Sequence, residues 1–346
     1  MRFHLSVIPL VAALLFIGGC ETLREWQCEP RECLFQEIKL NQARSLAYWE
    51  PLMRESIDRR LGVIPDELLK YVDLDNRIYG YDERPAKFHD SHTIALLRQA
   101  YFSLPPVVHR LVEPKLAGIY LVDGLGSSGY TESIQDQQGR PVAGVIVLDA
   151  ALFKRKANDW ASWRDSTAFG DNASLEIRTT IASEENNNLM TAIQFLMVHE
   201  LAHVYSIGSD VHPHWTADLN WVELSDYPFT AMSWNISPAG RYQSLFDAAF
   251  WQRSKLRYYQ EPGLGARELE PTLVNLSRTN FPSLYASTRP EEDFAEAFAI
   301  YVMSEMKGNP YYIEVIKNGK TAARVESCFV ARCPRKREFM QNLLGQ

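Results

Sequence analysis

His199 and His203 stand four residues apart, with Glu200 directly after the first, in the stretch T-A-I-Q-F-L-M-V-H-E-L-A-H-V from Thr191 to Val204. An α-helix advances about 3.6 residues per turn, so the two imidazoles share a face and can reach one metal ion. Glu200 is the next residue round and points beside that ion. A carboxylate placed there can take a proton from water held in an open coordination position, because zinc lowers the pKa of such water to about 7. These residue types at this spacing serve metal-assisted hydrolysis. The competing reading is a pair of core histidines flanking a salt-bridged glutamate.

A helix must position the three residues, and the sequence supplies its ends. Asn186, Asn187 and Asn188 are capping candidates, Gly208 is a stop signal, and nearly every position from Leu189 to Val204 is apolar or small. Such a helix is buried on almost all sides, so its histidines and carboxylate need partners.

A hydrolytic zinc takes a third protein ligand, and two downstream groups compete for the place. His212 and His214 form an H-x-H pair that reaches the ion only if its loop folds back; otherwise they are ordinary loop histidines. The stronger candidate lies in Y-A-S-T-R-P-E-E-D-F-A-E-A-F-A-I-Y-V, starting at Tyr285. Thr288 and Glu291 have the spacing of a capping box, and Pro290 suits a first helical turn, so a helix starts here with Phe294, Ala297, Phe298 and Tyr301 facing inward. Glu292 and Glu296 then share a face. One can bind the metal while the other, behind it, accepts a hydrogen bond from a ligand histidine. Acidic residues at Glu291, Glu292 and Asp293 also complement the helix dipole, but that does not account for Glu296 on an apolar stripe.

Together, H-E-L-A-H and Y-A-S-T-R-P-E-E-D-F-A-E-A-F resemble the gluzincin metallopeptidases, most closely the catalytic domains of the anthrax lethal factor type. The resemblance implies a zincin-like α+β fold and a Zn2+ held by His199, His203 and Glu292. It also implies Glu200 as the general base, Glu296 as the acceptor behind a ligand, and Tyr285, seven residues before Glu292, as the oxyanion donor. Peptide or protein would be the substrate. The likeness extends from about Leu116 to Lys307, its specific motifs lie on the two helices, and Ser209 stands where metzincins place a third histidine.

Elsewhere the chain carries less chemistry. The net charge of −7 over 346 residues argues against nucleic acid as a partner. Gly124-Leu125-Gly126-Ser127-Ser128-Gly129 spells a dinucleotide fingerprint but runs into polar residues and a turn, so it reads as a loop entering an edge strand, with Val142–Leu148 the expected strand. Such a strand beside a metal helix could pair with extended substrate. Residues 34–110 read as helices without a catalytic group, His89, His92 and His109 being isolated. Residues 241–259 also read as helical, within an aromatic-rich insertion at 209–282. The basic run Arg332–Arg337 reads as a solvated helix start.

The first residues combine a basic start, an apolar run and Ile17-Gly18-Gly19-Cys20, which resembles the lipobox of bacterial lipoproteins. The expected division is a signal peptide at 1–19, an N-terminal helical region at 20–110 and a catalytic domain at 111–346. Lipid on Cys20 would hold the chain to a membrane in the cell envelope, and Glu21 points to the outer membrane facing the periplasm. Cys28, Cys33, Cys328 and Cys333 are an even set for an oxidising compartment and read as disulfides, in any of three pairings. A zinc-stabilised envelope scaffold without catalysis is the rival function. Replacing the lipid-bearing residue, Cys20→Ser, is expected to abolish fatty-acid labelling; unchanged labelling would exclude the anchor.

Overall fold

The computed structural model describes residues 30–81, 84–171 and 174–345, so the signal sequence, Cys20 and Cys28 lie outside the described residues. The chain has a mixed α+β fold. Its first part runs through α1 (Pro30–Leu40), α2 (Leu46–Met53), β1 (Leu61–Val63), α3 (Asp66–Tyr79), β2 (Ala86–Lys87), α4 (Ser91–Phe102) and α5 (Pro106–Val112). Next come β3 (Leu116–Asp123), β4 (Gly129–Gln135), β5 (Pro141–Asp149), α6 (Ala157–Ser166), β6 (Leu175–Thr180) and α7 (Leu189–Ser206). The rest comprises β7 (Trp234–Ile236), β8 (Tyr242–Ser244), α8 (Leu269–Leu276), α9 (Pro290–Ile300), β9 (Tyr312–Lys317), β10 (Lys320–Glu326) and α10 (Pro334–Leu344).

The main sheet has the order β1-β3-β5-β4, with β2 pairing further along the same edge of β3 as β1. Strands β3 and β5 are parallel and buried on both faces. Side chains alternate across a strand, so Tyr120, Val122, Val145 and Val147 join one core with Leu68 and Val72 of α3. Ile119, Leu121, Ile146 and Leu148 join the other, with Leu97 of α4 and Val198 of α7. Strands β10, β9 and β6 form a second, antiparallel sheet.

Several expectations are corrected here. Val142–Leu148 lies within β5, between β3 and β4, and is interior; the edge strand is β4, which the glycine loop does enter. A Cβ at Gly144 would come within 2.9 Å of Ile207 and 3.1 Å of Val204, so glycine there lets α7 lie close on the sheet. The region before 110 contributes two strands as well as helices, each too short to show a period. Residues 241–259 hold no α-helix. Ser244 Oγ accepts from the amide of Phe246 and Asp247 Oδ2 from that of Ser244, and these side-chain bonds take the amides that a helix would use.

No capping box forms on α9. The Thr288 hydroxyl instead donates to the Tyr285 carbonyl at 2.7 Å, and Arg289 takes the N-cap position, with Pro290 in the first turn as expected. The basic run is not solvated throughout. Lys336 is fully buried, with Nζ 2.5 and 2.7 Å from the two carboxylate oxygens of Asp293, while Arg332 donates to the carbonyls of Leu276, Thr279 and Phe281. Cys328 and Cys333 form a disulfide just before α10, with Cα atoms 5.3 Å apart, and Cys33 is also disulfide-bonded.

In the aromatic stretch Phe229, Trp234, Phe250 and Phe281 are core, whereas Trp221 is 86% exposed. No helix among the described residues is long and apolar enough to cross a membrane. Removing one partner of a buried ion pair leaves the other charge unpaired, so Lys336→Met is expected to lower the unfolding free energy by about 3–5 kcal/mol. Denaturant titration checks this, and a loss below about 1 kcal/mol would show that the pair does not tie α10 to α9.

Candidate metal centre

Helix α7 starts where Asn188 accepts a hydrogen bond from the amide of Thr191 at 3.0 Å, and Gly208, at φ +65°, follows its end. Lys115 donates to the carbonyls of Tyr205 and Ile207, placing a cation at the negative end of the helix. His199, Glu200 and His203 are all buried, and α9 packs against α7, with the Phe294 ring stacked on that of Tyr205.

That crossing brings Glu292 Oε2 to 3.1 Å from His199 Nε2 and 3.5 Å from His203 Nε2. The three candidate ligand atoms lie within 4.8 Å of one another, and the group can hold a metal ion. Glu292 Oε2 is buried without a hydrogen-bond partner, and a cation would satisfy it. Two imidazoles and one carboxylate, arranged around one point, are a donor set suited to zinc and its neighbours.

Glu296 stands behind His199, with Oε1 3.0 Å from Nδ1. An ionised carboxylate only accepts, so Nδ1 carries a hydrogen toward Glu296, and Nε2 is the nitrogen turned toward Glu292 and His203, the one available to a metal. Arg164 of α6 forks onto Glu296, with Nη1 2.8 Å from Oε1 and Nη2 3.2 Å from Oε2. On the other flank Thr131 of β4 lies with its hydroxyl 2.9 Å from Glu200 Oε2. The Tyr285 ring is 5.7 Å from that of His199 and meets the Tyr258 ring edge-on at 4.7 Å.

Charge in the cluster points the same way. Burial alone would depress His199, but its ion-pair contact with Glu292 and its hydrogen bond with Glu296 carry it up to about 10. Glu292 is held far below the carboxylate range, chiefly by His203 and His199 against the cost of burial; Glu296 falls to about 2, with Arg164 leading the pull against the same cost. Burial raises Glu200, against the pull of His199, His203 and Thr131. His199 and Arg164 meet the charge of Glu292 and Glu296, and a divalent cation bound between the ligands would take the place of the imidazolium proton.

The structure brings together His199, Glu200, His203, Glu292, Glu296 and Tyr285. It leaves out the H-x-H pair: His212 Nδ1 lies 2.8 Å from the Pro213 carbonyl and burial lowers its pKa to about 4, while His214 Nδ1 contacts the Thr216 hydroxyl at 2.8 Å. Neither belongs to the converging group. Sequence reasoning missed Thr131 and Arg164. Buried Glu296 implies a cationic partner, but nothing in the spacing says which. Compared with family models, curated proteins and solved structures, the chain matches none.

Purified protein dialysed against a divalent cation should retain one ion per chain. His199→Ala and His203→Ala should lose it, and His212→Ala should keep it. Full occupancy by elemental analysis in either of the first two would place the ion elsewhere.

Proposed function

We propose that the chain is a zinc-dependent endopeptidase with a zincin-like catalytic domain, held to the cell envelope by lipid on Cys20. The observation that carries the reading is the convergence of His199 Nε2, His203 Nε2 and Glu292 Oε2 on one point, with Glu200 on the adjoining helical position. Three protein ligands leave a coordination position open, whereas a purely structural zinc is normally closed by four. Zinc bound there supplies a Lewis acid for a scissile carbonyl and makes an attached water acidic near neutral pH.

Glu200 takes the proton of the attacking water and passes it to the leaving amine. Thr131 holds that carboxylate through Oε2, which leaves Oε1 for the proton. Tyr285 donates its hydroxyl to the oxygen on which charge develops, and its edge-on packing against Tyr258 limits where the ring can swing. Strand β4 is the sheet edge nearest α7; among the described residues its outer side carries only a single bridge, Ser45 to Gln135. Its free backbone groups suit an extended peptide, which argues for sequence-tolerant binding.

Two substitutions separate catalysis from metal holding. Glu200→Gln keeps size and hydrogen bonding but removes the base, so the protein should stay folded and zinc-loaded yet fail to cleave. Tyr285→Phe should lower turnover by about 100- to 1000-fold while changing substrate binding far less. Assay on an unbiased peptide library checks both. Undetectable cleavage by the wild type, or wild-type rates in zinc-loaded Glu200→Gln, would leave the zinc-stabilised scaffold in place of the enzyme.

A further inference from the structure

We infer that Arg164 is the positioning residue of the metal centre, setting the orientation of His199 through Glu296 and confining Tyr285 with the same guanidinium. This rests on the metal reading of the site. Arg164 lies 35 residues before His199 on a different helix, is 3% exposed, and has each of its three guanidinium nitrogens bonded to a carboxylate. Nη1 and Nη2 hold the two oxygens of Glu296 at 2.8 and 3.2 Å, while Nε donates to Asp165 Oδ1 at 3.2 Å. Asp165 is itself fixed from β6, where the Thr179 hydroxyl lies 2.6 Å from Oδ2. The chain Thr179–Asp165–Arg164–Glu296–His199 therefore runs from the second sheet to a candidate ligand.

Glu296 Oε1 is shared between Arg164 Nη1 and His199 Nδ1. A carboxylate held by one oxygen can turn about its Cγ–Cδ bond and carry its acceptor away from the imidazole. Held by both, it cannot turn without breaking two charge-assisted bonds. The plane of Glu296 then fixes the direction of the Nδ1–H bond, and with it the direction of the Nε2 lone pair. The Arg164 carbon Cζ also lies 5.3 Å from the ring centre of Tyr285 and 5.3 Å from that of Trp160, so the guanidinium packs against the proposed oxyanion donor as well. Lysine cannot substitute, because a single ammonium cannot span Glu296 with a fork and keep Asp165.

The test is cation affinity, measured for zinc by competition with a chromophoric chelator, with cobalt(II) as a spectroscopic probe of ligand geometry. Arg164→Lys should bind zinc about 10- to 100-fold more weakly and show an altered visible cobalt spectrum. In a Glu296→Gln background, where the fork is already broken, Arg164→Lys should change affinity by no more than about twofold. Wild-type affinity and an unchanged cobalt spectrum in Arg164→Lys would overturn the proposal, as would an equal loss in both backgrounds, which would mark a general loss of packing. If Arg164→Lys does not fold, Asp165→Asn keeps the guanidinium but removes the charge on its Nε side; weaker zinc binding there supports the proposal and wild-type binding overturns it. A wild-type chain that takes up no cation would sink the metal reading and this proposal with it, whereas a wild type that binds while Arg164→Lys binds equally would sink the proposal alone.

Discussion

Glu296 has no exposed surface, and its charge is met from two sides, by His199 on α7 and by Arg164 on α6. The rest of the site depends on that arrangement. Withdrawing a carboxylate and a guanidinium from water costs several kcal/mol per ion, and a well-packed apolar trio of similar volume is often as stable. Fold stability therefore does not explain Glu296 and Arg164. What an apolar substitute could not do is hold an imidazole in one tautomer and one orientation, which a metal ligand requires. The same logic extends to Asp293 and Lys336, a second fully buried pair on the other flank of α9, which docks α10 against the helix that carries Glu292.

The two helices were legible in the sequence because local rules decide them. Asn188 caps α7 and Pro290 opens α9, as their positions imply, and the four-residue spacings of His199 with His203 and Glu292 with Glu296 become shared faces by helical geometry alone. The tyrosine beside the centre came from a resemblance rather than from spacing, and the structure puts its ring next to His199. Legibility ended where partners come from distant segments. Thr131 meets Glu200 across 69 residues of chain and Arg164 meets Glu296 across 132, and no period or motif encodes either pairing.

The strand assignments show a related limit. Val142–Leu148 and the run from Leu116 are both apolar, as strands buried on two faces must be, so their composition cannot say which one lies at an edge. The true edge, β4, is the more polar run T-E-S-I-Q, whose composition is that of a loop. Residues 241–259 read as helical, but side chains of Ser244 and Asp247 bond the local backbone, and residues 242–244 enter a short hairpin instead. Both errors arise from competition that an isolated segment does not reveal: sheet order in the first case, side-chain capping of the backbone in the second.

Consecutive residues on a helix point about 100° apart, so His199 and Glu200 must take their orientation from different neighbours. The structure supplies one on each side of α7. Toward α6 and α9, His199 is held by Glu296 and Arg164; toward the main sheet, Glu200 is held by Thr131 on β4. Gly144 permits this by letting the C-terminal turn of α7 press against β5, where a Cβ would force Val204 and Ile207 outward. The candidate ligand His199 is thereby registered to the helical layer and Glu200 to the sheet edge. Their relative placement then depends on how α7 packs between the two layers, which is what a helix apolar on nearly every side makes possible.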